Sequence, residues 1–191
     1  MKILAILSMI VSLGMTPPGS TKSPTATWVD QFKTFRNAVY LADKAKAKSF
    51  FRFPIQSEGN LIWYVVYDGN DKALEMMGGK SKPFTDKDFD KYFNKLFPKR
   101  FINTIMKIKS DVLDKKNATE SIEFKEGKDV TYKMYATVDR DAKTVTLNLF
   151  SNTVYRDSKG KVTDNGEHSI IYVFDITDQG GFVFKNVSIA G

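Results

Sequence analysis

Apolar residues recur at helical spacing in the first part of the chain. Steps of four, three, four and three residues predict an amphipathic helix that begins near Thr27. Its apolar positions are Trp28, Phe32, Phe35, Val39 and Ala42. Thr27 and Asp30 have the spacing of a capping box, with aspartate in place of glutamate. A short helical turn is expected over residues 43–51, and the Phe53-Pro54 step ends it because a residue before proline avoids the helical region.

A second pair of helices is predicted around Pro98. Thr85 and Asp88 form another capping-box pair, and Phe84 and Phe89 have the spacing of a hydrophobic staple. Pro98 then opens the following helix, at a position that tolerates proline. The apolar faces of the two helices are Phe89, Phe93, Leu96 and Phe97, and then Phe101, Ile102, Ile105, Met106 and Ile108.

The hydrophobic period changes to two after about residue 117. Alternating apolar and polar residues predict strands over 130–138, 144–149, 169–176 and 182–189, with turns at 139–143 and 157–160. Residues 61–67 are rich in β-branched and aromatic side chains and are also predicted to form a strand. Helices followed by consecutive strands predict an α+β fold with an antiparallel sheet.

The amino-acid composition excludes several kinds of metal site and catalytic site. The 191 residues contain no cysteine and one histidine, so thiolate metal sites, cysteine nucleophiles and multi-histidine metal sites have no ligands. We expect no metal and no cofactor. The formal net charge is +7, but the lysines are spread among acidic residues, which is typical of a solvated surface and not of a nucleic-acid-binding arm.

The beginning of the chain has the pattern of an export signal. Lys2 precedes an apolar run that is too short to span a bilayer, and small residues follow it. We predict a signal peptide over residues 1–16, a flexible linker over 17–26 and a single domain over 27–191. The expected location is periplasmic or secreted, with no transmembrane segment once the signal is cleaved.

Three segments resemble exported bacterial members of the nuclear transport factor 2-like superfamily, whose fold is also called the cystatin-like cone. The first is Phe32-x-x-Phe35-x-x-Ala38 followed by Asp43 and Phe53-Pro54-Ile55, the second spans 84–97, and the third spans 182–191. The resemblance covers about residues 27–191. It implies a curved antiparallel sheet wrapped around a long N-terminal helix, with a second helix pair.

The resemblance leaves the function open. Many members hold an apolar pocket between sheet and helices, some are isomerases or dehydratases, and others only bind ligands or partners. Fold alone does not choose among these roles.

Two residues are candidates for acid–base catalysis. His168 is the single histidine, but it is expected at the start of a strand beside a turn, where it would be solvated. Asp175 is out of step with the apolar positions of its strand, so a pairing with a cross-strand lysine is the simpler expectation.

A ligand pocket is the alternative use of the apolar strand face. The predicted lining is Tyr132, Met134, Leu147, Tyr172 and Phe174. Other aromatic residues, such as Trp63, Tyr64, Tyr67 and Tyr135, could also line a pocket or could be ordinary sheet residues.

The sequence therefore predicts an exported, non-catalytic domain that binds a small apolar ligand or an envelope protein. Two alternatives stay open: an isomerase- or dehydratase-type enzyme, and an interaction module that forms a homodimer through its sheet. The outward residues for that dimer would be Thr131, Lys133, Tyr135, Thr146 and Asn148.

Overall fold

A computed structural model describes residues 26–56, 61–69, 72, 75 and 82–191 of the chain. The helices of the described part are α1 (Trp28–Tyr40), α2 (Lys44–Lys48), α3 (Leu61–Val66), α4 (Asp86–Leu96), α5 (Lys99–Ile105) and α6 (Ser110–Lys116). The strands are β1 (Ala118–Glu120), β2 (Phe124–Glu126), β3 (Val130–Asp139), β4 (Thr144–Arg156), β5 (Val162–Ile176) and β6 (Phe182–Ala190). The predicted signal peptide, and the predicted linker up to residue 25, lie outside the described residues.

The strands form one six-stranded sheet in which every pairing is antiparallel. The order is β1-β3-β4-β5-β6, and β2 pairs with a different stretch of β3 than β1 does. The sheet is open, since β6 pairs with β5 and not with β1. This arrangement confirms the predicted α+β class.

The helix starts predicted at Thr27 and Thr85 are confirmed at the level of single hydrogen bonds. Thr27 caps α1 and Thr85 caps α4, each through a complete capping box with the aspartate three residues on. Pro98 is the N-cap residue of α5. These starts depend on side chains close in sequence, which is why the sequence alone indicates them.

One face of the sheet carries the core. Phe35 of α1 lies with its ring centroid 5.0 Å from that of Phe174 on β5 and 5.8 Å from that of Phe182 on β6. Phe97, at the end of α4, stacks on Tyr172 of β5 at 6.3 Å. The helix that carries Trp28, Phe32 and Phe35 therefore packs directly against the C-terminal strands.

The prediction of a strand over residues 61–67 is wrong. Leu61–Val66 is a helix, and its residues Ile62, Trp63, Val65 and Val66 are buried. The ring of Trp63 lies 5.0 Å from that of Phe84, and its indole N–H donates a 2.7 Å hydrogen bond to the Lys82 carbonyl. Packing on two sides overrides the strand propensity of this segment.

Three further boundaries differ from the sequence-based expectation. The helix after Pro98 ends at Ile105, and a separate helix, α6, follows from Ser110. Strand β5 begins at Val162, seven residues earlier than predicted, and β4 continues to Arg156. The second change moves His168 from a turn edge into the middle of a strand.

The described helices include none that combines the length and the apolar character needed to cross a bilayer.

Candidate functional site

Four of the five predicted pocket residues lie in the closed core. Met134, Leu147, Tyr172 and Phe174 are fully buried on the helix-covered face of the sheet. Tyr172 also donates a 2.8 Å hydrogen bond to the carbonyl of Leu96, at the end of α4. Burial raises the pKa of this phenol far above its ordinary value. The fifth residue, Tyr132, lines a cavity.

Tyr132 belongs to a polar cross-strand row on the same face. Tyr132 of β3 is directly opposite Ser151 of β4, which is opposite His168 of β5. The Ser151 hydroxyl donates a 3.3 Å hydrogen bond to the His168 carbonyl. The neighbouring row towards the core contains Met134, Leu149 and Ile170. The inner face thus changes from apolar to polar at this row.

A cavity of about 650 Å³ opens over this row, and we call it the Tyr132 cavity. Its lining residues come from the turn after α3, the start of α5, strand β2 and the three central strands. They are Asp68, Pro98, Lys99, Arg100, Asn103, Phe124, Lys125, Glu126, Tyr132, Leu149, Ser151, His168 and Ile170.

Helix α5 and strand β2 both place side chains around Tyr132. Arg100 and Asn103 are three residues apart and therefore share one face of α5. The Asn103 amide donates a 3.1 Å hydrogen bond to the Tyr132 hydroxyl, and the Arg100 guanidinium carbon lies 5.7 Å from the Tyr132 ring centroid. Phe124 of β2 stacks on the same ring at 5.4 Å.

An ion pair orients Arg100 at the cavity. Its Nε donates to an oxygen of Glu126 at 2.5 Å. This hydrogen bond from Arg100 holds the pKa of the Glu126 carboxyl below its usual value. Both side chains are partly exposed, so the pair positions the guanidinium more than it stabilises the fold.

A second, smaller cavity adjoins the first, and we call it the Tyr64 cavity. Its volume is about 270 Å³, and three of its lining residues, Asp68, His168 and Ile170, also line the Tyr132 cavity. The other lining residues are Tyr64, Val65, Gly69 and Ile189. His168 and the turn after α3 therefore stand between the two spaces.

The turn after α3 has the geometry of a Schellman motif. Asp68 and Gly69 adopt positive φ angles of 56° and 68°. The amide of Gly69 donates to the Tyr64 carbonyl at 3.0 Å, and that of Asp68 donates to the Val65 carbonyl at 3.2 Å. These bonds satisfy the last carbonyls of α3 and fix the turn at the cavities.

The two catalytic candidates have different surroundings. His168 is half-buried and lines both cavities. Asp175 forms a 3.0 Å ion pair with Lys185 on the neighbouring strand, as the simpler expectation predicted, and both side chains are nearly half exposed. The structure does not bring Asp175 together with His168. In the described residues no group of three or more histidine and acidic side chains could hold a metal ion.

On the opposite face of the sheet, the outward-facing residues of the three central strands are exposed or half-buried. Tyr135 and Phe150 pack there with ring centroids 6.2 Å apart. The side-chain oxygens of Asn148 and Asn152 are buried on this face without a hydrogen-bond partner among the described residues.

The sequence did not predict several of the residues that line the Tyr132 cavity. Arg100 and Asn103 look like ordinary surface residues of a helix, and Phe124 lies in a three-residue strand with no measurable periodicity. Ser151 lies where β4 loses its apolar alternation, which gives no sequence signal of an inner face.

Comparison with protein-family models finds none that matches the chain, and comparison with curated proteins finds no significant match.

Proposed function

We propose that this chain is an exported, non-catalytic domain that binds a small, largely apolar ligand in the Tyr132 cavity. The proposal includes a cone-shaped fold of the nuclear transport factor 2-like kind. The observation that carries it is the cavity itself. Its volume falls within the range of about 300–1,000 Å³ that is typical of small-molecule sites.

The composition of the cavity wall supports binding. Leu149, Ile170 and Phe124 supply apolar surface, and Tyr132 and Ser151 supply hydroxyl groups at one row. Ligand pockets combine apolar wall with convergent polar groups. This wall also carries charged side chains, among them Arg100 and Glu126. Of the predicted lining residues, Tyr132 borders this cavity. The other wall residues on the central strands share the rows of Tyr132 and Met134: Leu149, Ser151, His168 and Ile170.

A thermal-shift screen with a library of small hydrophobic compounds tests this proposal. A ligand that binds only the folded state raises the melting temperature as its concentration increases. Ser151→Phe, which places an aromatic ring in the cavity beside Tyr132, should reduce or abolish the shift. Ser169→Phe is the matched control because Ser169 is on the other face of β5. Absence of any shift, or an equal shift in both variants, would contradict the proposal.

Acid–base catalysis is a second candidate, favoured by the position of His168 on the row of Tyr132. An imidazole and a phenol at one cavity can move a proton to and from a bound ligand. Each ligand found in the screen would be incubated with the protein and followed by NMR. Conversion that is lost in His168→Gln while binding persists supports catalysis, and recovery of unchanged ligand contradicts it.

A homodimer through the outer sheet face is a third candidate. The unpaired side-chain oxygens of Asn148 and Asn152 favour it, because a second copy could supply donors to them. Analytical ultracentrifugation tests this directly. A monomer at every concentration would contradict the dimer, and a dimer that Asn148→Lys dissociates would support it.

A further inference from the structure

We infer that the ligand of the Tyr132 cavity is an amphiphilic carboxylate, with its anionic group at Arg100 and Tyr132 and its apolar part along Leu149 and Ile170. This inference rests on the proposed function. It adds the chemistry of the ligand.

The hydrogen bonds around Tyr132 run in a direction that suits a ligand with acceptor atoms. The Tyr132 hydroxyl accepts from Asn103, so its own hydrogen is available to a ligand. Among the described residues it has no other hydrogen-bond partner. A carboxylate only accepts hydrogen bonds, and this phenol is placed to donate one.

The Arg100 guanidinium has N–H donors that no described residue uses. The Nε of Arg100 donates a hydrogen bond to Glu126, and no other described residue accepts a hydrogen bond from the Arg100 guanidinium. The two Nη atoms therefore remain as a donor fork. Such a fork matches the two oxygens of a carboxylate in a bidentate pair, which is stronger than a neutral hydrogen bond.

The charged side chains of the cavity wall favour an anionic ligand. Lys99, Arg100 and Lys125 are cationic, and Asp68 and Glu126 are anionic, so the wall carries one net positive charge with His168 neutral. The chain as a whole carries +7. A cleft of positive potential attracts anions and repels cations of the same shape.

The donors proposed for the carboxylate and the apolar side chains come from different parts of the cavity wall. The donors lie on α5 and β3, whereas Leu149 and Ile170 form the neighbouring row of the sheet on β4 and β5. Phe124 adds an aromatic edge beside Tyr132. A ligand with one anionic end and an apolar body fits this arrangement, because the anionic end would contact the donors and the body would contact the apolar side chains.

Calorimetric titration with octanoate, octan-1-ol and octylamine tests the inference, because the three probes have an eight-carbon chain and differ in their head groups. We expect octanoate to bind at least tenfold more tightly than octan-1-ol, with an affinity that falls as ionic strength rises. Octylamine should bind most weakly.

Two variants locate the head group. Arg100→Gln and Tyr132→Phe should each reduce octanoate affinity about tenfold. Octan-1-ol has no charge for the guanidinium to pair with, so its affinity should fall much less, and the binding that remains shows that the cavity is intact. Arg156→Gln is the matched control. Arg156 makes the same kind of Nε contact, with Asp129 at 2.6 Å, but lines neither cavity.

The outcomes separate the two proposals. Equal affinity for octanoate and octan-1-ol, or tighter binding of octylamine, overturns the carboxylate and leaves the binding function standing. An equal loss of octanoate affinity in Arg156→Gln also overturns it. Failure of all three probes, together with an empty compound screen, overturns the binding function itself.

Discussion

The amide of Asn103 donates a 3.1 Å hydrogen bond to the hydroxyl of Tyr132, so that helix α5 and the inner face of the sheet meet at one polar contact. The contact lies beside the largest cavity described here and fixes the phenol at its wall. It therefore links the packing of α5 to the shape of the candidate site.

A double-mutant cycle on this pair should show coupling. Asn103→Leu and Tyr132→Phe each remove one partner of a half-buried hydrogen bond, whose net contribution is about 0.5–1.5 kcal/mol. The double variant should therefore be less destabilised than the sum of the two single variants. Urea unfolding measures all four free energies. Additive effects within about 0.3 kcal/mol would mean that the bond contributes nothing.

A second hydrogen bond is important for the fold and not for the site. Tyr172→Phe leaves the Leu96 carbonyl buried without its donor, which should reduce the free energy of unfolding by about 1–3 kcal/mol. The midpoint of urea unfolding should fall with an unchanged slope. Tyr155→Phe is the control, since Tyr155 is 53% exposed, and its loss should be below about 0.5 kcal/mol. Comparable losses in the two variants would contradict this account.

The same tyrosine makes stability sensitive to alkali. Burial raises its pKa in the folded protein, whereas the unfolded chain ionises it near its ordinary value of 10.0. The unfolded state therefore binds fewer protons above that pH, and stability falls as pH rises. In Tyr172→Phe this slope should be shallower by up to about 1.4 kcal/mol per pH unit. Identical slopes above pH 10 would show that the phenol is not protected from ionisation.

The pKa of the Glu126 carboxyl, measured at acidic pH, tests whether the ion pair with Arg100 forms at the cavity. This pKa lies below the usual 4.5 because Arg100 bonds to the charged form. The stabilisation is present above that value and is lost as pH falls through the lower pKa of the folded state. NMR titration of the carboxyl carbon should show the low midpoint, and Arg100→Gln should return it to normal. Arg156→Gln should leave it low; an ordinary midpoint in the unmodified protein would contradict the pair.

The sequence predicts features that depend on residues close in sequence, and it misses features that depend on distant residues. The capping boxes at Thr27 and Thr85 depend on neighbours three residues away, and the apolar alternation of β3 reflects a single buried face, so both are visible in the sequence. Leu61–Val66 has a strand-like composition, but contacts with Phe84 and other distant residues make it a helix.

The candidate site is harder to predict because it interrupts the pattern. At Ser151 and His168 the inner face of the sheet is polar, so the apolar alternation stops while the strands continue. A prediction from periodicity therefore ends β4 too early and begins β5 too late. It selects the buried residues Met134, Leu147, Tyr172 and Phe174 as a pocket, although only Tyr132 borders a cavity described here.

Two glycines with positive φ provide a test of the turn that separates the cavities. Gly69 has a φ of 68°, and a Cβ there would lie 2.9 Å from the Tyr64 hydroxyl. Gly160, in the β4–β5 turn, has a φ of 79° with nothing within 4 Å of the same position. Alanine at either site incurs a left-handed backbone cost of about 1–2 kcal/mol.

Gly69→Ala should therefore destabilise the protein more than Gly160→Ala, because only the first also displaces the Tyr64 ring. Urea unfolding of both variants gives the difference, and the NMR signals of the Tyr64 ring should shift in Gly69→Ala alone. Since Tyr64 and Gly69 both line the Tyr64 cavity, the displacement changes a wall that also includes His168. Equal losses of stability with an unmoved Tyr64 ring would show that the close approach of Gly69 to Tyr64 does not constrain this turn.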